Sequence, residues 1–244
     1  MALVHEFEQS GNWLFKRRGW LPLLIFIPSL VYIFFSPDPS LTFNRGLEIS
    51  FLGLSLSGQV IRAVTLGRTP RNTSGRNISK QVAERLNTTG IYSLVRHPLY
   101  LGNFFMWLGP VLFLRSVWIT IVFCLAYWLY YERIMFAEEQ FLRKKFGDDY
   151  DRWSERVRAF IPSFGNYKRS DLSFSFRNVL KREYNGFASI FIVFALLDVV
   201  RNYSLEGQLT IHPVWAALLA FGLFVWLVLR ILKKHTTLLN VAGR

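Results

Sequence analysis

Along the chain, long apolar runs alternate with polar or basic stretches. Six runs stand out, at residues 20–35, 47–66, 100–114, 118–131, 187–200 and 214–232. A helix needs about 20 apolar residues to cross a bilayer. The shorter runs are completed by aromatics such as Trp20, Trp118, Tyr130, Tyr131 and Trp215, residue types that settle at membrane interfaces. Lipid offers exposed backbone amides no partner, so every run is predicted to be helical. The first run ends at Ser36-Pro37-Asp38-Pro39, and the second carries Glu48, Gln59 and Arg62. Only Arg115-Ser116-Val117 separates the third from the fourth, which predicts a tight antiparallel hairpin. The fold expected is an all-α, polytopic integral membrane bundle of about six transmembrane helices, with a cytoplasm-facing pocket. Residues 1–167 form a four-span core and residues 168–244 a two-span C-terminal extension.

Composition supports that picture. Of 244 residues, 52% are apolar and only 18% charged, against about 25% charged in an average soluble domain. A soluble enzyme, a nucleic-acid module, a coiled coil and a disordered tail all fit poorly. The net charge of +13 would suggest a nucleic-acid partner in a soluble chain. Here 26 of the 29 Lys and Arg fall on one side of the six-span topology, leaving Arg45, Arg115 and Arg201 on the other. Basic residues mark the cytoplasmic side, so both termini and the polar loops are expected there. Lys16-Arg17-Arg18 before an apolar run also resembles a signal peptide, but no small-residue cleavage site follows, and a retained first helix is expected. The single cysteine, Cys124, precludes an internal disulfide or a cysteine-based zinc site.

Candidate chemistry concentrates in two segments. The first, residues 86–103, straddles the start of span three and contains Thr89-Gly90, Tyr92, Arg96-His97-Pro98 and Tyr100. Thr89-Gly90 reads as a turn, and Pro98 suits a first helical turn. The free amides of that turn can bind an anionic group. Arg96 and His97 add charge and a donor; Tyr92 and Tyr100 add flat surfaces. The same residue types also serve as plain interfacial anchors. The second segment, residues 132–142, follows span four. At 100° per residue Met135, Glu139, Leu142 and Phe146 share one stripe, with Glu138 at its edge and Arg133 on the opposite side. A carboxylate on an apolar stripe needs a partner, either an arginine of the polar loop at residues 67–95 or a bound ligand. Residues 146–162 read as an amphipathic segment on the membrane surface, ended by Pro162. Asp148, Asp149 and Asp151 lack calcium-loop spacing, and no metal site is expected. Asp198 lies near the end of span five, where an acid is either functional or reaches out to the interface.

Together the segments resemble the isoprenylcysteine carboxyl methyltransferase family, within a wider group that includes membrane phospholipid methyltransferases. The shared pattern is Thr89 to Tyr92, Arg96 to Gly102, an apolar hairpin, Glu138 to Leu142, Phe146 to Tyr150 and Ile161-Pro162, spread over residues 77–162. The resemblance implies S-adenosylmethionine as cofactor, S-adenosylhomocysteine as product, and a lipid or lipidated acceptor entering sideways from the bilayer. It places cofactor contacts at Leu86, Tyr92, His97, Leu99, Tyr100 and one of Glu138 or Glu139, with Arg96 alongside; the stripe favours Glu139. It also implies an arginine before the glutamates holding the substrate carboxylate. The nearest candidate is Arg133, although its helical phase points away. Carboxyl O-methylation of an isoprenoid or prenylcysteine-like acceptor is the leading expectation. With an amine acceptor, as in phospholipid N-methylation, Glu138 or Glu139 would be the first general base to consider.

Two other classes compete. A sterol-type membrane reductase using NADPH shares an Arg-His-Pro-x-Tyr segment, but an acid is expected there where this chain has Asn103. A transporter or scaffold would carry paired charges deep in several spans, and only Glu48, Arg62 and Asp198 are candidates, all near span ends.

Overall fold

The computed structural model describes residues 2–20, 24, 26–35, 44–70, 73 and 81–244. The Ser36–Pro39 breaker and residues 71–72 and 74–80 of the 67–95 loop, which include the first residues of the 77–162 motif region, lie outside the described residues. The helices are α1 (Leu3–Arg17), α2 (Phe26–Phe35), α3 (Arg45–Gly67), α4 (Pro98–Phe113), α5 (Val117–Phe146), α6 (Asp148–Ser154), α7 (Phe176–Glu206) and α8 (Pro213–His235). All regular elements among the described residues are helical, as the apolar runs predict.

Local chemistry sets the ends. Asn44, Ser116 and Ser175 each accept a hydrogen bond from the amide three residues on, which caps α3, α5 and α7. Pro98 and Pro213 open α4 and α8, where the missing N–H costs nothing. Among the described residues four helices are long and apolar enough to cross a membrane: α3, α5, α7 and α8. The α4 helix is apolar but has 16 residues, about 24 Å of rise. Ten residues of the first expected span are helical, as α2.

The α3 and α4 backbones approach closely through glycine. A Cβ on Gly58 would overlap the Gly102 carbonyl, and one on Gly109 would overlap the Ser55 hydroxyl. Ser55 Oγ donates to the Met106 carbonyl at 3.0 Å across the same seam. One apolar cluster joins Phe15, Tyr100, Phe123, Tyr127 and Tyr131; a second joins Leu52, Phe113, Phe194, Leu197 and Trp215. Large apolar side chains such as Trp118, Leu125 and Phe224 face outward, as expected where lipid is the solvent.

Three features differ from the sequence expectation. The basic N-terminal stretch is a helix, α1, that packs along the polar half of α5. Gly11 lets it close on the Arg133 carbonyl, Phe7 meets Phe136 edge-on at 5.6 Å, and Lys144 pairs with Glu8 at 2.6 Å. Residues 148–163, read from the sequence as an amphipathic surface segment, fold back onto residues 92–97, with Tyr150 fully buried. Asp198 does not reach outward. It is fully buried and takes hydrogen bonds from Arg201 at 2.6 Å and the His212 amide at 2.8 Å. Arg201 also binds Glu48 at 2.7 Å, locking α7 to α3. A second buried lock joins the same helices: Arg62 grips Glu183 through Nε at 2.8 Å and Nη2 at 2.7 Å.

Candidate active site

The Thr89-Gly90 turn forms as predicted. Gly90 sits at φ 62°, a left-handed conformation that favours glycine, and starts a short turn at Ile91–Ser93. The Gly90 amide donates to the Lys168 carbonyl at 2.8 Å, and the Lys168 amide to Ser93 Oγ at 2.8 Å. The Arg96 and His97 amides donate to the carbonyls of Arg158 and Ala159 at 2.9 and 3.1 Å. The Tyr100 and Leu101 amides donate back to the His97 carbonyl at 3.2 and 3.1 Å, so part of the expected anion nest is already occupied by backbone.

Side chains then bring the two sequence signals together. Arg96 donates to Glu139 through Nε at 3.0 Å and Nη2 at 3.3 Å, while its Nη1 donates to the Ser154 and Val157 carbonyls at 2.6 and 3.1 Å. One guanidinium therefore ties the start of α4, the polar half of α5, the end of α6 and the residues just after it. His97, buried, has Nε2 2.9 Å from Glu139 and Nδ1 3.7 Å from Glu138. Its ring stacks on Tyr100 at 5.7 Å, and Tyr100 meets Tyr131 at 4.8 Å. Burial alone would push the His97 imidazole down; the carboxylates of Glu138 and Glu139 outweigh it and hold its pKa above the ordinary value. Tyr150 closes the site from α6, and burial pushes its phenol well up. Trp153 Nε1 donates to the Tyr92 carbonyl at 3.1 Å, pinning that loop.

A cavity of about 840 Å³ opens beside this cluster. Of the residues singled out in the sequence, Leu86, Tyr92, Arg96, His97, Leu99, Tyr100, Glu138 and Glu139 all line it. Arg133 does not. Its guanidinium lies over the Phe7 ring at 3.5 Å, between α1 and α5. The continuous α5 helix explains this: Arg133 takes the side opposite the glutamates, as its phase requires. Glu139, the expected ligand-facing acid, already has Arg96 and His97 as partners. Glu138 is 3.7 Å from its basic neighbour, beyond hydrogen-bond length, and is the less committed carboxylate.

Some lining residues were not anticipated. Arg18 enters from the end of α1, and Asn178, Glu183 and Gly186 from α7. Tyr150 and Trp153 sit in the recognised motif but with an unanticipated role. Among the described residues no group of three or more His, Cys, Asp or Glu is placed to hold a metal ion.

The stretch that builds this cluster is also similar to known proteins. Residues 47–149 match the family model described as phospholipid methyltransferase. Over 117 residues the chain is 34% identical to the protein-S-isoprenylcysteine O-methyltransferase of Schizosaccharomyces pombe, covering 47% of this chain and 49% of the relative. It is 34% identical over 120 residues to a probable protein-S-isoprenylcysteine O-methyltransferase of Oryza sativa subsp. indica, covering 47% and 61%. It is also 33% identical over 122 residues to the cobalt-zinc-cadmium resistance protein CzcN of Cupriavidus metallidurans, covering 50% and 51%. The chain thus spans about half the length of the curated relatives it matches. No solved structure matches it significantly. The segment that matches this family model holds most of the cavity's polar half.

Proposed function

We propose that this protein is an S-adenosylmethionine-dependent methyltransferase of the membrane interface, acting on a lipophilic acceptor, with carboxyl O-methylation of an isoprenoid or prenylcysteine-like lipid as its reaction. The observation that carries the reading is the convergence of the Arg96-His97 and Glu138-Glu139 segments on one cavity, in a stretch matching enzymes named isoprenylcysteine O-methyltransferases. The cavity also fits such a cofactor. The Tyr150 hydroxyl is buried in its wall without a hydrogen-bond partner, and Glu138 lines the same cavity. Tyr92 and Tyr100 offer ring faces to a planar base or a sulfonium cation.

When bound, S-adenosylmethionine supplies an electrophilic methyl carbon for in-line displacement. The protein's part is positioning. Glu139 fixes Arg96 and His97; His97 and Tyr100 shape the cofactor end together with Leu86, Tyr92 and Leu99. A carboxylate acceptor is already an anion and needs no base. An amine acceptor would need one, and Glu138 is the carboxylate left to serve. The family model's phospholipid description keeps that second reading in view. The positive-inside bias supports a cytoplasmic side for the cavity's polar mouth and both termini.

The test is thermal unfolding of the detergent-solubilised protein with S-adenosylhomocysteine or NADPH. At a hundredfold excess over its dissociation constant, a ligand stabilises the folded state by about 2.7 kcal/mol. S-adenosylhomocysteine should raise the midpoint and NADPH should not. The reverse result would move the protein to the reductase class.

A further inference from the structure

The turn at residues 160–169 carries apolar side chains that the core does not use. Ile161 is 66% exposed, Phe164 79% and Tyr167 57%. The turn itself is firmly held. Phe164–Asn166 form one turn of 3₁₀ helix, and Asn166 Nδ2 donates to the Arg156 carbonyl at 2.7 Å. The Ser163 amide donates to the Leu94 carbonyl at 2.9 Å, and the Lys168 amide to Ser93 Oγ at 2.8 Å. The turn therefore rests on residues 90–94, the segment that carries the cavity residue Tyr92. Phe160, at its start, meets Phe104 of α4 and Trp128 of α5 edge-on, at 5.9 and 5.8 Å. Trp128 is half exposed and stands one turn before Glu132, where α5 passes from its apolar to its charged half. The turn thus lies at the level where the apolar surface of the bundle ends. Residues 156–169 also hold four basic side chains, Arg156, Arg158, Lys168 and Arg169, all exposed, and no acid.

We propose that this turn seats in an anionic lipid surface, with Phe164 among the headgroups and the four basic side chains against their negative charges, and that this contact steadies the cofactor end of the cavity. The occupant follows from the chemistry of the turn. Apolar side chains flanked by Lys and Arg are what an interfacial segment uses, and aromatic rings settle at headgroup depth. A groove on another protein would take the apolar tip but gives no reason for four basic residues around it. An anionic leaflet meets both. The coupling follows from the hydrogen bonds. Holding residues 163–168 in place also holds Ser93 and Leu94, and with them the Tyr92 stretch whose carbonyl accepts from Trp153. A segment ordered in advance costs a ligand less entropy on binding. Lipid bound at the turn therefore favours cofactor bound in the cavity. The turn lies outside residues 47–149, the stretch that matches the family model.

The lipid contact stands apart from the methyltransferase reading; only the coupling rests on it, and a test in two arms keeps them separate. In the first arm, Gly165→Cys in a Cys124→Ser background carries an environment-sensitive NBD fluorophore. A Cβ on Gly165 meets nothing within 4 Å, so the label sits beside Phe164 without displacing a neighbour. The labelled protein is placed in nanodiscs of phosphatidylcholine and phosphatidylglycerol, with a nitroxide near the headgroup of one lipid or the other. Emission should shift to the blue, and the phosphatidylglycerol nitroxide should quench it more strongly. Water-like, unquenched emission overturns the lipid surface in favour of a protein partner. Equal quenching from both lipids overturns its anionic character. In the second arm, S-adenosylhomocysteine is titrated in nanodiscs with and without phosphatidylglycerol, against wild type and a variant carrying Arg156→Gln, Arg158→Gln, Lys168→Gln and Arg169→Gln. The anionic lipid should tighten wild-type binding by about fivefold, the low end of coupling between linked sites, and should leave the variant unchanged. Wild-type affinity that ignores the lipid, or a variant that still responds to it, overturns the coupling. Protein that binds no S-adenosylhomocysteine in either membrane overturns the methyltransferase reading and the coupling with it, while the quenching still decides the lipid contact.

Discussion

At the scale of single residues, the two adjacent glutamates divide their labour. Both line the cavity, but Glu139 is gripped by Arg96 and His97, whereas Glu138 stands 3.7 Å from the nearest His97 nitrogen. Glu139→Gln should therefore lower thermal stability by about 1–3 kcal/mol, the cost of breaking a charged hydrogen bond, and should weaken cofactor binding as a consequence. Glu138→Gln should leave the unfolding midpoint near wild type and weaken S-adenosylhomocysteine binding by about 1.5–3 kcal/mol. Paired melts and titrations in one detergent separate these; equal losses of stability would contradict the division. His97 adds a pH signature. Its folded pKa is raised above an unfolded value of about 6.5, so the imidazolium stabilises the folded state. That contribution is complete below about pH 6.5 and fades as pH rises through the folded pKa. The gap in melting midpoint between wild type and His97→Gln should be widest near pH 6 and shrink toward alkaline pH. A gap that widens with pH would mean the neutral imidazole is the favoured form. The need for a partner at Glu139 was legible from its apolar stripe, because a carboxylate there cannot stand alone. That the partners would be Arg96 and His97 rather than ligand was not, since their approach depends on how the chain folds back between α5 and α4.

At the scale of elements, bilayer-length apolar runs announce themselves in sequence, and α3, α5, α7 and α8 stand where the runs are. What escaped is short or mixed. The apolar side chains of α1 at Leu3, Phe7 and Leu14 are interspersed with Glu6, Glu8 and Lys16. Its docking depends on Gly11 meeting α5, a contact more than a hundred residues away. The locks between α3 and α7 escaped for the same reason: Arg62 and Glu183 are 121 positions apart, and each alone reads as a charge near a span end. These locks tie α7 to α3 by two buried ion pairs. If α7 and α8 cross the bilayer as paired, reporter fusions after Lys168 and Arg244 should read cytoplasmic and one after Tyr203 external. A cytoplasmic reading at Tyr203 would remove the α7–α8 hairpin from the membrane.

At the scale of the whole molecule, a polar cavity end built from the family-like motifs meets an apolar end walled by α7. That arrangement suits two reactants arriving from different phases, a charged cofactor from water and a lipid from the bilayer. The central claim is that methyl groups pass from one to the other here. The most direct measurement is to incubate the reconstituted protein with methyl-labelled S-adenosylmethionine and a total membrane lipid extract, then to follow the label. The account predicts label in a lipid acceptor, released as methanol by mild alkali, as a carboxyl methyl ester requires. It is contradicted if no lipid is labelled, or if the label is alkali-stable and resides on the nitrogen of a phospholipid headgroup.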